Sequence, residues 1–477
     1  MKLPSKGLDQ TEVFEKLKSF SANDLDWRSG KIFGYVFDPG KKIMEVGKKA
    51  YSMFLTENGL DFSSFPSLLN LEKNLVSMGA THLGGDAEVA GNFTSGGTES
   101  ILLAVKTARD HYRKIRPEIK LPEMILPTTA HAAFHKAAHY FDVQVVPVPV
   151  DDNTFRVDPD KVAKAVTHNT ILLVGSAPSY AHGVVDPIEE LGQIALKNNL
   201  LLHVDACMGG FLLPYLKRLG EAIPTFDFSV DGVTSISMDL HKYAYCPKGA
   251  SLVLYRNREL RKSQIFAFSR WTGYTMVNMA IQSSKSGGPM AAAWAVLNYV
   301  GDAGYLEIAR KKLAATRKII AGIAAIPQLK LLSKPHMCLV AFTSETIDVF
   351  KLIDEINNRG WYVQPALSYA NSPANIHLSI NTNNVGREEA FLKDLRECVK
   401  ITTAAPPRAE GLNQLAAELS ALDASTMTDD QFAELLEMAG IGGDALPKQM
   451  ADINTLLNGL PAEFRERLLL EYVNQLF

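Results

Sequence analysis

Cysteine is scarce in this chain. Four cysteines in 477 residues, Cys207, Cys246, Cys338 and Cys398, stand far apart with no Cys-x-x-Cys pair and no Cys/His cluster. Such spacing argues against a disulfide framework or a zinc site and points to reduced thiols. Charge of one sign is also lacking: 49 Lys and Arg face 52 Asp and Glu, a net charge of -3. Without a block of like charge, neither a nucleic-acid stripe nor a polybasic membrane patch is expected. Long hydrophobic runs are missing as well. No stretch reaches the roughly 18 apolar residues that would span a bilayer, and residues 1–10 have no apolar core of the kind a secretory signal carries. The longest apolar run, near 291–300, fits a buried helix. The expectation is a soluble cytoplasmic protein that handles small molecules, with no metal site.

What is present is organised. Residues 1–65 read as a helical segment with an irregular linker at 29–40, where Gly30, Gly34, Pro39 and Gly40 cluster. Over 66–300, short leucine-rich or β-branched runs (123–127, 143–150, 170–174, 200–204, 232–237 and 250–255) alternate with helical periods. Continuous apolar strands between helices predict an α/β fold with a mostly parallel sheet covered on both faces. Residues 301–404 read as a smaller α+β domain, with a helix over 305–326, strands near 337–342 and 377–380, and a helix near 349–359. Residues 405–477 read as a helical tail. In it, Thr428 and Gln431 form a capping box, followed by one apolar face (Phe432, Leu435, Leu436, Ala439) and later another (Phe464, Leu468, Tyr472, Leu476).

Three motifs carry chemistry. The run Gly-Val-Thr-Ser-Ile-Ser-Met-Asp-Leu-His-Lys over 232–242 brings His241 and Lys242 to a strand end, with Asp239 just before them. The run Leu-Leu-His-Val-Asp-Ala over 201–206 ends a hydrophobic strand in Asp205 and Ala206. The turn Ser95-Gly96-Gly97-Thr98 opens a helix, where free backbone N–H groups and the helix dipole favour a phosphate. A lysine able to form an imine, an acid able to face a pyridinium nitrogen and a phosphate turn are together requirements of pyridoxal 5'-phosphate chemistry. A carboxylate at a buried strand end needs a cationic partner, which a protonated pyridine ring supplies. Ala206 is small enough to let that ring lie close. Lys242, at an apolar strand end, is expected to have a lowered pKa. His241 can orient the lysine or relay protons, Asp239 can brace the turn or the phosphate side, and the flat ring of His131 can stack on the cofactor. Ser-Gly-Gly-Thr is also an ordinary turn, and Asp205 taken alone also reads as a capping residue. His135 and His139 follow His131 at helical spacing, but no acid completes a zinc motif.

These segments resemble the fold-type I pyridoxal phosphate enzymes of the group II decarboxylase superfamily, and most closely their sphingosine-phosphate lyase branch. The resemblance rests on 93–102, 130–141, 182–187, 203–211, 232–237 and 241–249, where the last reads His-Lys-Tyr-Ala-Tyr-Cys-Pro-Lys-Gly. It implies an aspartate aminotransferase-like fold and a homodimer with active sites at the subunit interface. It also implies Lys242 as Schiff-base lysine, Asp205 opposite the ring nitrogen, His131 on the ring face, Gly249 within the cofactor motif, and Lys248 as a holder of substrate phosphate. The chain departs from the pattern in three places. Phe33 stands where the lyases carry a tyrosine, with Tyr35 two residues on, so both are candidate substrate contacts. The stretch 58–66 lacks the family's phosphate-assisting histidine, and 283–289 reads Ser-Ser-Lys-Ser-Gly-Gly-Pro in place of an arginine-bearing stretch.

The resemblance implies a carbon–carbon lyase that splits an anionic 2-amino-3-hydroxy compound by retro-aldol cleavage. An amino-acid decarboxylase is the alternative, since it uses the same electron sink. An aminotransferase is less favoured because His377 stands where that chemistry commonly keeps an arginine. A non-enzymatic scaffold using the helical tail comes last.

Overall fold

The computed structural model describes residues 2–404, 411–420, 427–428, 431 and 449–475. Its centre is a seven-stranded sheet in the order β1-β7-β6-β5-β4-β2-β3. These strands are β1 (Ala90–Thr94), β2 (Glu123–Pro127), β3 (Gln144–Val148), β4 (Thr170–Ser176), β5 (Leu201–Asp205), β6 (Ser235–Met238) and β7 (Ser251–Tyr255). β6, β5, β4, β2 and β3 run parallel. Every residue of β4, β6 and β7 is buried, as expected of strands with helices on both faces.

One strand departs from the sequence reading. β7 runs antiparallel to both β6 and β1. That reversal has a consequence for the site: a strand that begins at the carboxyl edge draws the residues before it, His241 to Gly249, to the same edge where β4, β5 and β6 end. In α/β sheets that edge is where ligands lie. β1 ends there too, with Thr94 paired to Ser251, and delivers the chain into the turn before α4 (Gly97–Ile115). A hydrogen-bonded chain Thr94–Ser100–Ser251, with Oγ contacts of 2.7 and 2.9 Å, ties α4 to the two strands.

The expected helix at 305–326 is the second half of a longer one, α10 (Gly288–Ala324), broken at Gly301 where φ is 64°. Beyond it lies a four-stranded antiparallel sheet in the order β8-β9-β11-β10, made of β8 (Lys330–Leu331), β9 (Leu339–Thr343), β10 (Gln364–Ala366) and β11 (Asn375–Ser379). The irregular linker of the N-terminal segment belongs to this layer. Ile32 bridges Tyr362, the Phe33 N–H donates to Tyr362 O (2.9 Å), and Phe33 O accepts from Ser379 N (2.9 Å). Phe33 is fully buried between Trp361 and Phe391.

The described part of the tail packs on the small layer. Asp354 accepts hydrogen bonds from the N–H groups of Met450 (3.1 Å) and Ala451 (3.0 Å) at the start of the helix Ala451–Gly459. Phe464 and Leu468 are buried with Ala416, Ile453 and Leu456. Thr428 and Gln431 do exchange capping hydrogen bonds. Phe432, Leu435, Leu436, Ala439 and Leu476 lie outside the described residues. Among the described residues, no helix is long and apolar enough to cross a membrane.

Candidate active site

The carboxyl edge of the large sheet and the edge of the small sheet enclose a cavity of about 540 Å³. Ser95, Gly96, Gly97, Thr98, His131, Asp205, Asp239, His241, Lys242, Lys248 and Tyr35 all line it. Residues spread over more than two hundred positions of sequence thus meet at one place. Ala206 and Gly249 flank the cavity without lining it. Ala206 is fully buried and its N–H donates to Ser237 O (3.0 Å), while Gly249 turns the chain at φ 89°.

Asp205 closes β5. Its Oδ1 accepts from Cys207 N (3.1 Å) and Ser237 Oγ (3.3 Å), whereas its Oδ2 has no hydrogen-bond partner among the described residues. Behind it His203 is clamped between Ser235 and Ser237 (2.8 and 3.2 Å) and, being buried, is held neutral with its pKa pushed down to about 4. The carboxylate is therefore supported from below and keeps one oxygen for a cation in the cavity.

Lys242 lies in the loop between β6 and β7. Its Nζ is 2.9 Å from Asp239 Oδ2. The expectation of a lowered pKa fails for this reason. Burial alone pulls the ammonium down, but the Asp239 carboxylate outweighs it and lifts Lys242 above the ordinary lysine value. Asp239 is held below the usual carboxylate range because Lys242 and His241 oppose its own desolvation. Its Oδ1 is buried and without a hydrogen-bond partner. His241 accepts from Ala250 N at Nδ1 (3.2 Å), and burial pushes it down to about 4.

The phosphate turn needs its glycines. A Cβ on Gly97 would sit 2.8 Å from both Asp239 Oδ2 and Cys207 Sγ. Gly96 caps α4 with no side-chain hydrogen bond, so the first N–H groups of the helix stay free for an anion. Glu99 shapes the turn by accepting from Ser95 N (2.7 Å). His131 projects from the loop after β2 and accepts from Ala133 N at Nδ1 (3.1 Å), which fixes its ring. Free helix-end donors, an Asp205 oxygen without a hydrogen-bond partner among the described residues and the Lys242 amine lining the same cavity together fit pyridoxal phosphate.

The substrate side differs from the expectation. Phe33, a candidate substrate contact, is part of the core and cannot touch a ligand. Tyr35 lines the cavity because its φ of 56° swings the chain out of register after Phe33. Lys248 meets solvent at the cavity edge, its Nζ 4.9 Å from the Phe37 ring centroid, and desolvation together with the Lys242 ammonium pushes it down to about 8. Sequence reading missed Tyr180, Cys207, Gln364 and Ser379, which also line the cavity. The Tyr180 hydroxyl donates to Gln364 Oε1, and Gln364 Nε2 donates to the Tyr35 hydroxyl (3.3 Å). Tyr180 and Cys207 follow the ends of β4 and β5, a signal the strand-end rule contains. Gln364 and Ser379 come from the small sheet and carry no local signal.

Fold and site define an α/β enzyme that uses a pyridoxal cofactor, and the comparisons agree. A profile of the pyridoxal-dependent decarboxylase conserved domain matches residues 16–345, and one for a C-terminal HTH domain of pyridoxal-dependent enzymes matches 412–475. Sphingosine-1-phosphate lyase of Arabidopsis thaliana is 43% identical over 412 residues, 85% of this chain and 74% of that protein. The Rattus norvegicus enzyme of that name is 39% identical over 83% of this chain and 69% of its own. Among solved structures, a sphingosine-1-phosphate lyase of Burkholderia pseudomallei superposes with a TM-score of 0.81 at 35% identity, covering 88% of this chain and 97% of that one. Glutamate decarboxylase of Lactobacillus brevis shares the fold, with a TM-score of 0.75 at 21% identity over 86% of this chain and 96% of that one. The chain belongs to the pyridoxal-dependent decarboxylase family. It is a pyridoxal phosphate-dependent lyase of the sphingosine-phosphate-lyase-like kind.

Proposed function

We propose that this lyase cleaves a carbon–carbon bond in a phosphorylated or otherwise anionic 2-amino-3-hydroxy substrate by retro-aldol chemistry. The observation that carries the reading is Lys248. Its ammonium borders the cavity that holds Lys242 and makes no ion pair with an acid among the described residues, which leaves it for a substrate anion. The name these relatives carry, sphingosine-1-phosphate lyase, supports the same class of substrate.

Bound pyridoxal phosphate supplies an electron sink for the carbon whose bond breaks. Lys242 would provide the amine that links to it, and Asp205, whose Oδ2 is unengaged, would stabilise positive charge at the ring nitrogen. His131 would stack on the ring, and the Gly97 and Thr98 N–H groups, with the Ser95 and Thr98 hydroxyls, would hold the phosphate. His241, neutral, relays protons on the Asp239 side. Tyr35 and Lys248 contact substrate. Phe33 stands where the lyases carry a tyrosine and lies in the core, and 58–66 lacks the family's phosphate-assisting histidine. The preferred substrate is therefore an anion that differs in shape from a sphingoid phosphate.

We further infer a cytoplasmic homodimer with active sites at the subunit interface. The outward apolar residues of the hairpin Phe266–Phe268 with Met276–Asn278, including Trp271 and Tyr274, support pairing, and Ile281 beyond it donates its N–H to Glu99 of the phosphate turn (2.7 Å). The working division is a helical segment (1–65), a cofactor domain (66–300), a small domain (301–404) and a tail (405–477). The test is a product assay on purified holoenzyme. Aldehyde formation supports the lyase reading, CO₂ release from an amino acid supports the decarboxylase alternative, and sedimentation reads the dimer.

A further inference from the structure

Lys312, on the second half of α10, is 1% exposed, and no acid lies within ion-pair distance of it among the described residues. Its Nζ donates to the Tyr245 hydroxyl (3.0 Å) and sits 4.1 Å from the Tyr243 ring centroid and 5.1 Å from that of Tyr245. A desolvated amine whose side-chain hydrogen-bond partner among the described residues is one phenol, with two aromatic faces beside it, is a poor way to stabilise a core, since an apolar side chain of like size avoids the desolvation. Its neighbours suggest another use. Tyr243 and Tyr245 stand one and three residues after Lys242.

The turn that carries Lys242 is pinned residue by residue. The Tyr243 hydroxyl donates to Ile380 O (3.2 Å), the Tyr305 hydroxyl donates to Ala244 O (2.7 Å), and Tyr245 is gripped by Lys312. Tyr245 needs the grip, because its φ of 59° lies in the left-handed region that a bulky residue adopts only under constraint. Through its N–H, Tyr245 bonds back to Lys242 O (3.0 Å), so a change of its backbone angle is passed straight to Lys242.

We propose that Lys312 is a positioning residue for Lys242, holding Tyr243 and Tyr245 so that the Lys242 amine stays aimed into the cofactor cavity. The proposal rests on the role of Lys242 given above. Lys312 touches neither cofactor nor substrate; it acts through the two tyrosines.

The test compares wild-type holoenzyme with Lys312→Met, which fills the volume without the charge. Melting temperature, kcat, KM and the pH midpoint of the bound cofactor's visible absorbance are measured. The expected result is a melting temperature equal to or above wild type, kcat lower by about tenfold, KM within about twofold, and an upward shift of the absorbance midpoint. Lys312→Gln, which keeps a donor to Tyr245, should recover part of the loss. Unchanged kcat and midpoint in Lys312→Met overturn the proposal, whatever happens to stability. If Lys312→Met does not fold, Tyr245→Phe decides: a similar fall in kcat supports the grip, and wild-type kinetics overturn it. Wild-type protein that carries no cofactor on Lys242 would overturn this proposal and the functional reading together. A normal wild type beside indifferent variants removes only the inference about Lys312.

Discussion

The Lys242 ammonium lies 2.9 Å from Asp239 Oδ2, and no such contact joins it to Asp205. The two buried acids that line the cavity thus differ in what they engage: Asp239 holds the Lys242 ammonium, and Asp205 keeps one oxygen without a hydrogen-bond partner among the described residues. The separation follows from topology, because Asp205 ends β5 while Asp239 follows β6 one position further round the sheet edge.

Loss of Asp239 should make Lys242 easier to deprotonate. The carboxylate raises the lysine above its ordinary value, so Asp239→Asn removes the main reason for that rise and leaves burial, which lowers it. Cofactor coupling by cofactor-free protein requires the neutral amine. Its pH profile should therefore move to lower pH by at least about one unit, read as the rate of absorbance growth on adding pyridoxal phosphate. An unmoved profile would show that Asp239 does not set the protonation of Lys242.

Asp205→Ala should damage chemistry more than binding. Its charge acts on electron density that develops as the bond breaks, so a loss of about 3–4 kcal/mol in the barrier is expected while the cofactor is largely retained. Cofactor content by absorbance and kcat by product assay check the two halves separately. A folded variant with near-normal kcat would contradict the assignment.

Lys248 should give substrate binding a pH limit. Its pKa is pushed down to about 8, so its charge is present below that pH and lost above it. For an anionic substrate, KM should climb by up to about tenfold per pH unit above 8. In Lys248→Met, KM should be high throughout and flat over the same interval. A wild-type KM that ignores pH between 7 and 10 would remove the anion-binding role.

Phe33 and Tyr35 should behave as different kinds of residue. Phe33→Ala empties a fully buried site between Trp361 and Phe391 and should cost about 3–5 kcal/mol of stability. Tyr35→Phe removes one exposed hydroxyl and should leave the melting temperature alone while raising KM. Thermal melts and steady-state kinetics on both variants test the contrast; a stability loss in Tyr35→Phe would contradict it.

Gly97→Ala should weaken the cofactor site. The new methyl meets Asp239 Oδ2 and Cys207 Sγ, both buried, and such crowding costs about 1–3 kcal/mol. Cofactor affinity should fall by about tenfold or more, measured by dialysis against a range of pyridoxal phosphate concentrations. Normal affinity would mean that the turn tolerates a side chain there.

Much of the site was legible in the sequence because local chemistry marks it. An acid ending an apolar strand, glycines opening a helix and a lysine just beyond a strand end are each defined by neighbours a few residues away. The parallel core was legible for the same reason: buried strands of this kind are continuous apolar runs. What tertiary structure alone decided depends on residues hundreds of positions apart. The antiparallel course of β7 follows from which strands it joins, since its composition matches that of the parallel ones. The raised pKa of Lys242 depends on Asp239 turning back within 2.9 Å, where an apolar strand end by itself suggests the opposite shift. Phe33 became core only because Trp361 and Phe391 close around it. The cavity wall of Tyr35, Tyr180 and Gln364 is assembled from the N-terminal linker, the loop after β4 and the small sheet. Sequence pattern reports burial and local geometry, whereas which surfaces face each other across a cavity is set by packing between distant elements.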